Sequence, residues 1–138
     1  MILFLAVAVF LILQVFPWVR LDNPPVTGEI QAPPVVMNIL RESCFDCHSN
    51  RTQWPWYSRV APVSWLITHD VQEAREKMNF SAWADIPLPS RAHYIHEIVE
   101  HVEEKDMPLS RYLYLHPRAE VTRSGLEILR NWEESQKK

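Results

Sequence analysis

The sequence predicts an all-α fold: a compact helical domain preceded by one N-terminal transmembrane helix. Three observations carry that expectation. Apolar residues recur at helical spacing from Val35 onward, and no strand-like alternation survives beyond four residues. The chain of 138 residues has 2 Gly against 11 Pro, which suits short helices and stiff connections better than a sandwich with many tight turns. The first stretch, Met1 to Trp18, contains only Gln14 and Pro17 as residues that are not apolar. At 47% apolar the chain is not a disordered one. Two glycines cannot build a Rossmann or P-loop phosphate cradle. A net charge of −3 without a Lys/Arg cluster argues against nucleic acid as a partner. Six tryptophans point to a large flat ligand or an aromatic core.

Three segments follow from the composition. Residues 1–19 read as a membrane anchor at the short end of the spanning range. A signal peptide is the alternative, but no Ala-x-Ala cleavage site follows the run; Ala6-Val7-Ala8 lies within it. Residues 20–34 hold Asn23-Pro24-Pro25 and Ala32-Pro33-Pro34. Paired prolines favour extended polyproline II, so this segment is expected as a semi-stiff stalk. Residues 35–138 form the folded domain. A domain of about 100 residues buries only about two-thirds of its unfolded surface, so a cofactor that becomes part of the core would help it.

Within the domain, Val35, Val36, Ile39, Leu40 and Cys44 predict a first helix ending near Cys47. Trp54-Pro55-Trp56-Tyr57 reads as an aromatic loop, and Pro62 opens a second helix over Val63 to Lys77. Ser90 is a candidate cap for a third helix carrying Tyr94, Ile95, Ile98, Val99 and Val102. Met107-Pro108 opens a loop, and Thr122 can cap a last helix with Leu126, Leu129 and Trp132.

The chemistry lies in Cys44-Phe45-Asp46-Cys47-His48, the only place cysteine occurs. Thiols three residues apart stand about one helical turn apart on one side of the chain. Both can add across the two vinyl groups of one haem, and the adjacent His48 can ligate the iron. The cofactor expected is one haem c, attached through Cys44 and Cys47. Three rivals stay open. A thioredoxin-like dithiol needs a βαβ setting that is missing here. A zinc site needs further ligands, for which His93 and His96 are the weak candidates. A plain disulfide is the third. Covalent haem attachment in bacteria takes place outside the cytoplasm, which agrees with an anchored domain in the periplasm.

For the sixth iron position the residues leave several candidates. Met107 precedes a proline in a loop after a helix, and His116 stands in Leu115-His116-Pro117. Met78 and Met37 read as core. A thioether suits electron transfer, a second imidazole lowers the potential, and an empty position permits ligand binding.

A resemblance adds to this. Cys44 to Asn50, Thr52, Trp54-Pro55-Trp56-Tyr57 and Ala61 to Leu66 resemble the small bacterial haem-binding domain family of c-type cytochromes. The likeness continues through Asp70-Val71, Arg75, Asn79-Phe80-Ser81, Trp83, Met107-Pro108, Tyr112, Leu115-His116-Pro117 and Trp132. The resemblance implies a cytochrome c-like helical domain with one covalent haem, His48 as proximal ligand and Met107 as distal one. Trp54, Trp56, Tyr57 and Trp65 are candidates to wall the haem or simply to fill a small core. Arg51 and Arg59 are candidates for its propionates. His93 with Glu97, and His96 with Glu100, make i,i+4 pairs, and Glu103, Glu104 and Asp106 form an acidic patch. The function expected is one-electron transfer to an unknown redox partner at the periplasmic membrane face. A haem-based sensor with a labile sixth site, and a small peroxidase using His116, are the alternatives; neither a nucleophile nor a carboxylate pair is called for.

Overall fold

The computed structural model describes residues 1–15 and 19–137. Among the described residues seven α-helices follow in order: α1 (Ile2–Val15), α2 (Pro34–Ser43), α3 (Phe45–His48), α4 (Val63–Lys77), α5 (Leu88–Glu103), α6 (Ser110–Leu115) and α7 (Arg123–Gln136). Single 3₁₀ turns lie at Trp56–Arg59, Trp83–Asp85 and Pro117–Ala119. Among the described residues no strand forms; one isolated bridge joins Gly28 to Ala82. The all-α expectation agrees with this.

The anchor expected over 1–19 finds no spanning helix among the described residues. Helix α1 has 14 residues, about 21 Å at 1.5 Å per residue, against a hydrocarbon core of about 30 Å. Among the described residues no helix is long and apolar enough to cross a membrane. Residues 16–18 of the expected anchor lie outside the described ones. Helix α1 has no buried residue. It touches the rest of the chain through Gln14, whose Nε2 donates to the Ala61 carbonyl (3.2 Å) and whose Oε1 accepts from the Ala61 N–H (3.0 Å).

The stalk expected over 20–34 is corrected as well. The segment is a strap laid on the domain. The N–H groups of Thr27 and Gly28 both donate to the Ser81 carbonyl at 3.0 Å, and that of Ile30 donates to the Phe80 carbonyl at 2.8 Å. Ile30 is 0% exposed. Prolines lack N–H groups but leave their neighbours free to pair, and here a loop offers the acceptors. Gly28 is required by close approach: a Cβ there would lie 2.2 Å from the Ala84 Cβ.

The core is shared by α2, α5, α7 and the loop over 78–86. It holds Ile30, Val36, Met37, Leu40, Phe45, Phe80, Trp83, Ile95, Ile98, Val99, Val102, Leu129 and Trp132. Helix α7 packs on α5 and α2, presenting Gly125, Leu129, Trp132 and Glu133 at helical spacing. The predicted cap is in place, since the Gly125 N–H donates to Thr122 Oγ1 at 3.1 Å. Thr122→Ala is expected to cost about 1 kcal/mol, read as a lowered urea midpoint with an unchanged m-value.

Helix α4 spans the predicted residues. Helix α5 starts at Leu88, two residues before the expected cap Ser90, because Pro87 and Pro89 supply a pre-set φ at its entrance. It ends where Lys105 takes φ 62, and the His101 carbonyl then accepts from the Asp106 and Met107 N–H groups. The His96–Glu100 pairing is also corrected: His96 Nδ1 lies 3.0 Å from Glu133 Oε1, across on α7. The His93–Glu97 pair forms at 3.4 Å. Within the acidic patch Glu103 is paired with Arg130 at 2.5 Å.

Candidate functional site

The five-residue cysteine motif sits at a break in the helix. Helix α2 stops when Cys44 leaves helical geometry at φ −126°, ψ −33°. A single new turn, α3, then carries Cys47 and His48, whose N–H groups donate back to the Cys44 carbonyl at 3.2 and 2.9 Å. Both thiols are half-buried and free. Burial, reinforced by its neighbour Cys47, pushes the Cys44 thiol up to about 12. Burial, with the charges of Asp46 and Asp70, pushes Cys47 up to about 11. Both are therefore protonated at neutral pH, the opposite of an activated redox dithiol.

His48 is oriented by the loop that follows α4. Its Nδ1 lies 3.1 Å from the Met78 carbonyl, which can only accept, so Nδ1 carries the proton. Its backbone carbonyl accepts from the Phe80 N–H at 2.7 Å, and its ring lies 5.8 Å from that of Phe80. Burial holds the imidazole below its ordinary value. The neutral ring thus keeps an unprotonated Nε2, the form that binds metal.

A polar network fixes the chain after the histidine. Ser49 Oγ donates to the Phe45 carbonyl and Thr52 Oγ1 to that of Asp46, at 2.7 and 2.8 Å. Asn50 is tied to Ser81, Pro25 and Asn79. Arg75 of α4 donates to the Ser49 and Asp22 carbonyls, to Asn23 Oδ1 and to Thr52 Oγ1. These residues position the motif, and of them Thr52 also lines the cavity described next.

Beside Cys47 lies a cavity of about 130 Å³. One wall is Val63, Leu66, Ile67, Asp70 and Val71 of α4; the other is Leu109 with Arg111, Tyr112, Leu115 and His116 around α6. Asp46, Cys47, Thr52, Gln53, Pro55 and Tyr57 complete it. Tyr57 Oη is hydrogen-bonded to His116 Nε2, and Tyr112 stacks on His116 at 4.3 Å and 11°. Tyr112 Oη donates to Asp46 Oδ2 at 2.8 Å, and Arg111 clamps Asp70 with two bonds, 2.8 and 3.1 Å. Burial raises both tyrosines above their ordinary value, most strongly Tyr112, whose bond to Asp46 adds to it.

The other sequence candidates are placed as follows. Tyr57 lines the cavity; Trp54, Trp56, Trp65 and Met107 do not. Trp56 is 76% and Trp65 37% exposed. Met107 is half-buried in the turn between α5 and α6, two residues before the lining residue Leu109. Trp54 keeps its indole N–H buried without a partner, under the guanidinium of Arg75, 5.9 Å from its ring. Arg51 pairs with Glu29 at 2.6 Å, and Arg59 is exposed. Sequence reasoning gave no role to Asp46 and Arg111 and left Tyr112 as a point of likeness only. Tyr112 and Asp46 are 66 positions apart, and no local spacing announces such a pair.

Residues 8–135 match the haem-binding domain family along that whole length. The chain belongs to the haem-binding domain family. Comparison with curated proteins and with solved structures returned no match. The donor set fits a haem in part: two free thiols and an imidazole with a free Nε2 stand on one turn, and of these Cys47 lines the apolar cavity while Cys44 and His48 do not. The cavity is smaller than the roughly 300–1,000 Å³ of ordinary ligand pockets. The α6 wall is held to α4 and to the motif by the Arg111–Asp70 and Tyr112–Asp46 bonds.

Proposed function

We propose that this haem-binding domain is a monohaem c-type cytochrome carrying single electrons at the outer, periplasmic face of a bacterial membrane. Cys44 and Cys47 hold the haem through two thioethers, each formed by net addition of S–H across a vinyl C=C bond. The observation that carries the reading is the sequence Cys44, Cys47, His48 on one broken helical turn, with the thiols protonated and His48 Nε2 available. His48 is the proximal ligand, and the Met78 carbonyl fixes its tautomer. Trp54 offers its unpaired buried N–H to a haem carboxylate; an unmet donor of that kind costs about 1–3 kcal/mol. When bound, the iron supplies the one-electron chemistry, tuned by its axial ligands and its burial. The apolar α1 keeps the domain at the membrane, and the partner is a second redox protein.

For the sixth position the reading takes Met107. Met107→Ala is expected to abolish the thioether-to-ferric-iron charge-transfer band and lower the potential by a sizeable fraction of the roughly 0.8 V that axial ligation spans. His116→Ala is expected to keep the band. The reverse pattern assigns the position to His116. A second reading is favoured by the Tyr57–His116 pair in the cavity, which puts an acid–base group in open space. That reading makes the protein a haem sensor or small peroxidase. Prompt carbon monoxide binding to the reduced protein, or peroxide turnover lost in His116→Ala, selects it; resistance to carbon monoxide selects the electron carrier.

A further inference from the structure

The face around the start of α4 exposes several large apolar side chains. Trp56, Val63, Trp65 and Leu66 are 76%, 42%, 37% and 48% exposed, and Leu115 across the cavity is 59% exposed. They are neighbours in space. Val63, Leu66 and Leu115 line one cavity mouth. Trp56 packs edge-on against Tyr57, which lines the same cavity, with ring centroids 5.7 Å apart.

Two further observations say what covers this face. The C-terminal end of α1 is pinned to its middle, because Gln14 makes two bonds to Ala61, between Trp56–Arg59 and α4. A helix whose residues apart from Gln14 are apolar, with none buried, therefore departs from the same patch. Charge agrees. Residues 53–69 contain no Asp or Glu and a single formal charge, Arg59, in a chain of net charge −3. Exposed tryptophans with a lone cation, continuous with an all-apolar helix, are the composition of a surface seated in the headgroup zone of a bilayer. A second copy of the chain offers no such continuity.

We infer that the Trp56–Leu66 face rests on the membrane surface beside α1, so that the cavity mouth at Leu66 and Leu115 faces the lipid. The inference rests on the membrane reading of α1 given above and is independent of haem chemistry.

The test uses the full haem-loaded chain in vesicles of phosphatidylcholine and phosphatidylglycerol that carry a diazirine phospholipid. After irradiation, lipid adducts are mapped by mass spectrometry. Adducts are expected on residues 56–66 and on α1, with α5 and α7 free of them. Trp56→Asp with Trp65→Asp, folded by circular dichroism, should lower the 56–66 adducts about tenfold while those on α1 persist. Adducts confined to α1 overturn the docked face and leave the membrane reading standing. Adducts missing from α1 as well overturn both. A double variant labelled like the wild type likewise overturns the inference.

Discussion

Replacing Cys44 and Cys47 together with serine is expected to yield protein without covalently bound haem. The material would come from a bacterial host able to mature c-type cytochromes, and the check is the mass of the denatured chain alongside its absorption spectrum. Wild type should carry the added mass of one haem and each single variant one remaining thioether. The reason is geometric and electrostatic. The two sulfurs flank one helical turn, and burial keeps them as S–H near neutral pH, with Cys44 near 12 and Cys47 near 11. A thiolate pair poised for disulfide exchange would instead be held well below 8.5. Wild-type protein that emerges without the haem mass, or a double variant that retains it, overturns the cytochrome reading.

The second large effect is on stability. Leu129 is 0% exposed and packs where α7 meets α5 and α2. Leu129→Ala removes buried methyl groups and leaves a cavity in a small core, an expected loss of about 3 kcal/mol. For a domain of this size that corresponds to a fall in Tm of roughly 12–20 °C by calorimetry. Glu127, exposed on the same helix, serves as the control, with Glu127→Ala expected within about 0.5 kcal/mol of wild type. A Leu129→Ala variant as stable as that control means that α7 is not docked as described.

The features legible in the sequence are those with a local cause. Helix α4 could be placed because Pro62 precedes a continuous helical pattern, and Thr122 could be recognised as a cap because a hydroxyl stands just before an apolar stripe. The Cys44–His48 motif was legible because its two thiols and its imidazole lie within one turn. What escaped is long-range. A proline-rich strap has no apolar period, and its placement depends on acceptors at Phe80 and Ser81, about fifty residues on. Helix α6 has six residues, too few to show a repeat. Tyr57 and His116 each look ordinary alone, and only the fold brings them together across 59 positions. The tryptophans divided for a related reason: spacing says that an aromatic is present but not which side of a loop it faces, and Trp56 is exposed while Trp83 and Trp132 are buried.

Arg75 has a consequence for how the domain opens. Its guanidinium joins α4 to the strap through Asp22 and Asn23, and to the loop after the motif through Ser49 and Thr52. The strap in turn binds Phe80 and Ser81, next to the Met78 carbonyl that holds the imidazole. No one of these segments can fray without breaking bonds in the others, so they form a single cooperative block. The orientation of the His48 ring is therefore protected by the energy of opening that whole block.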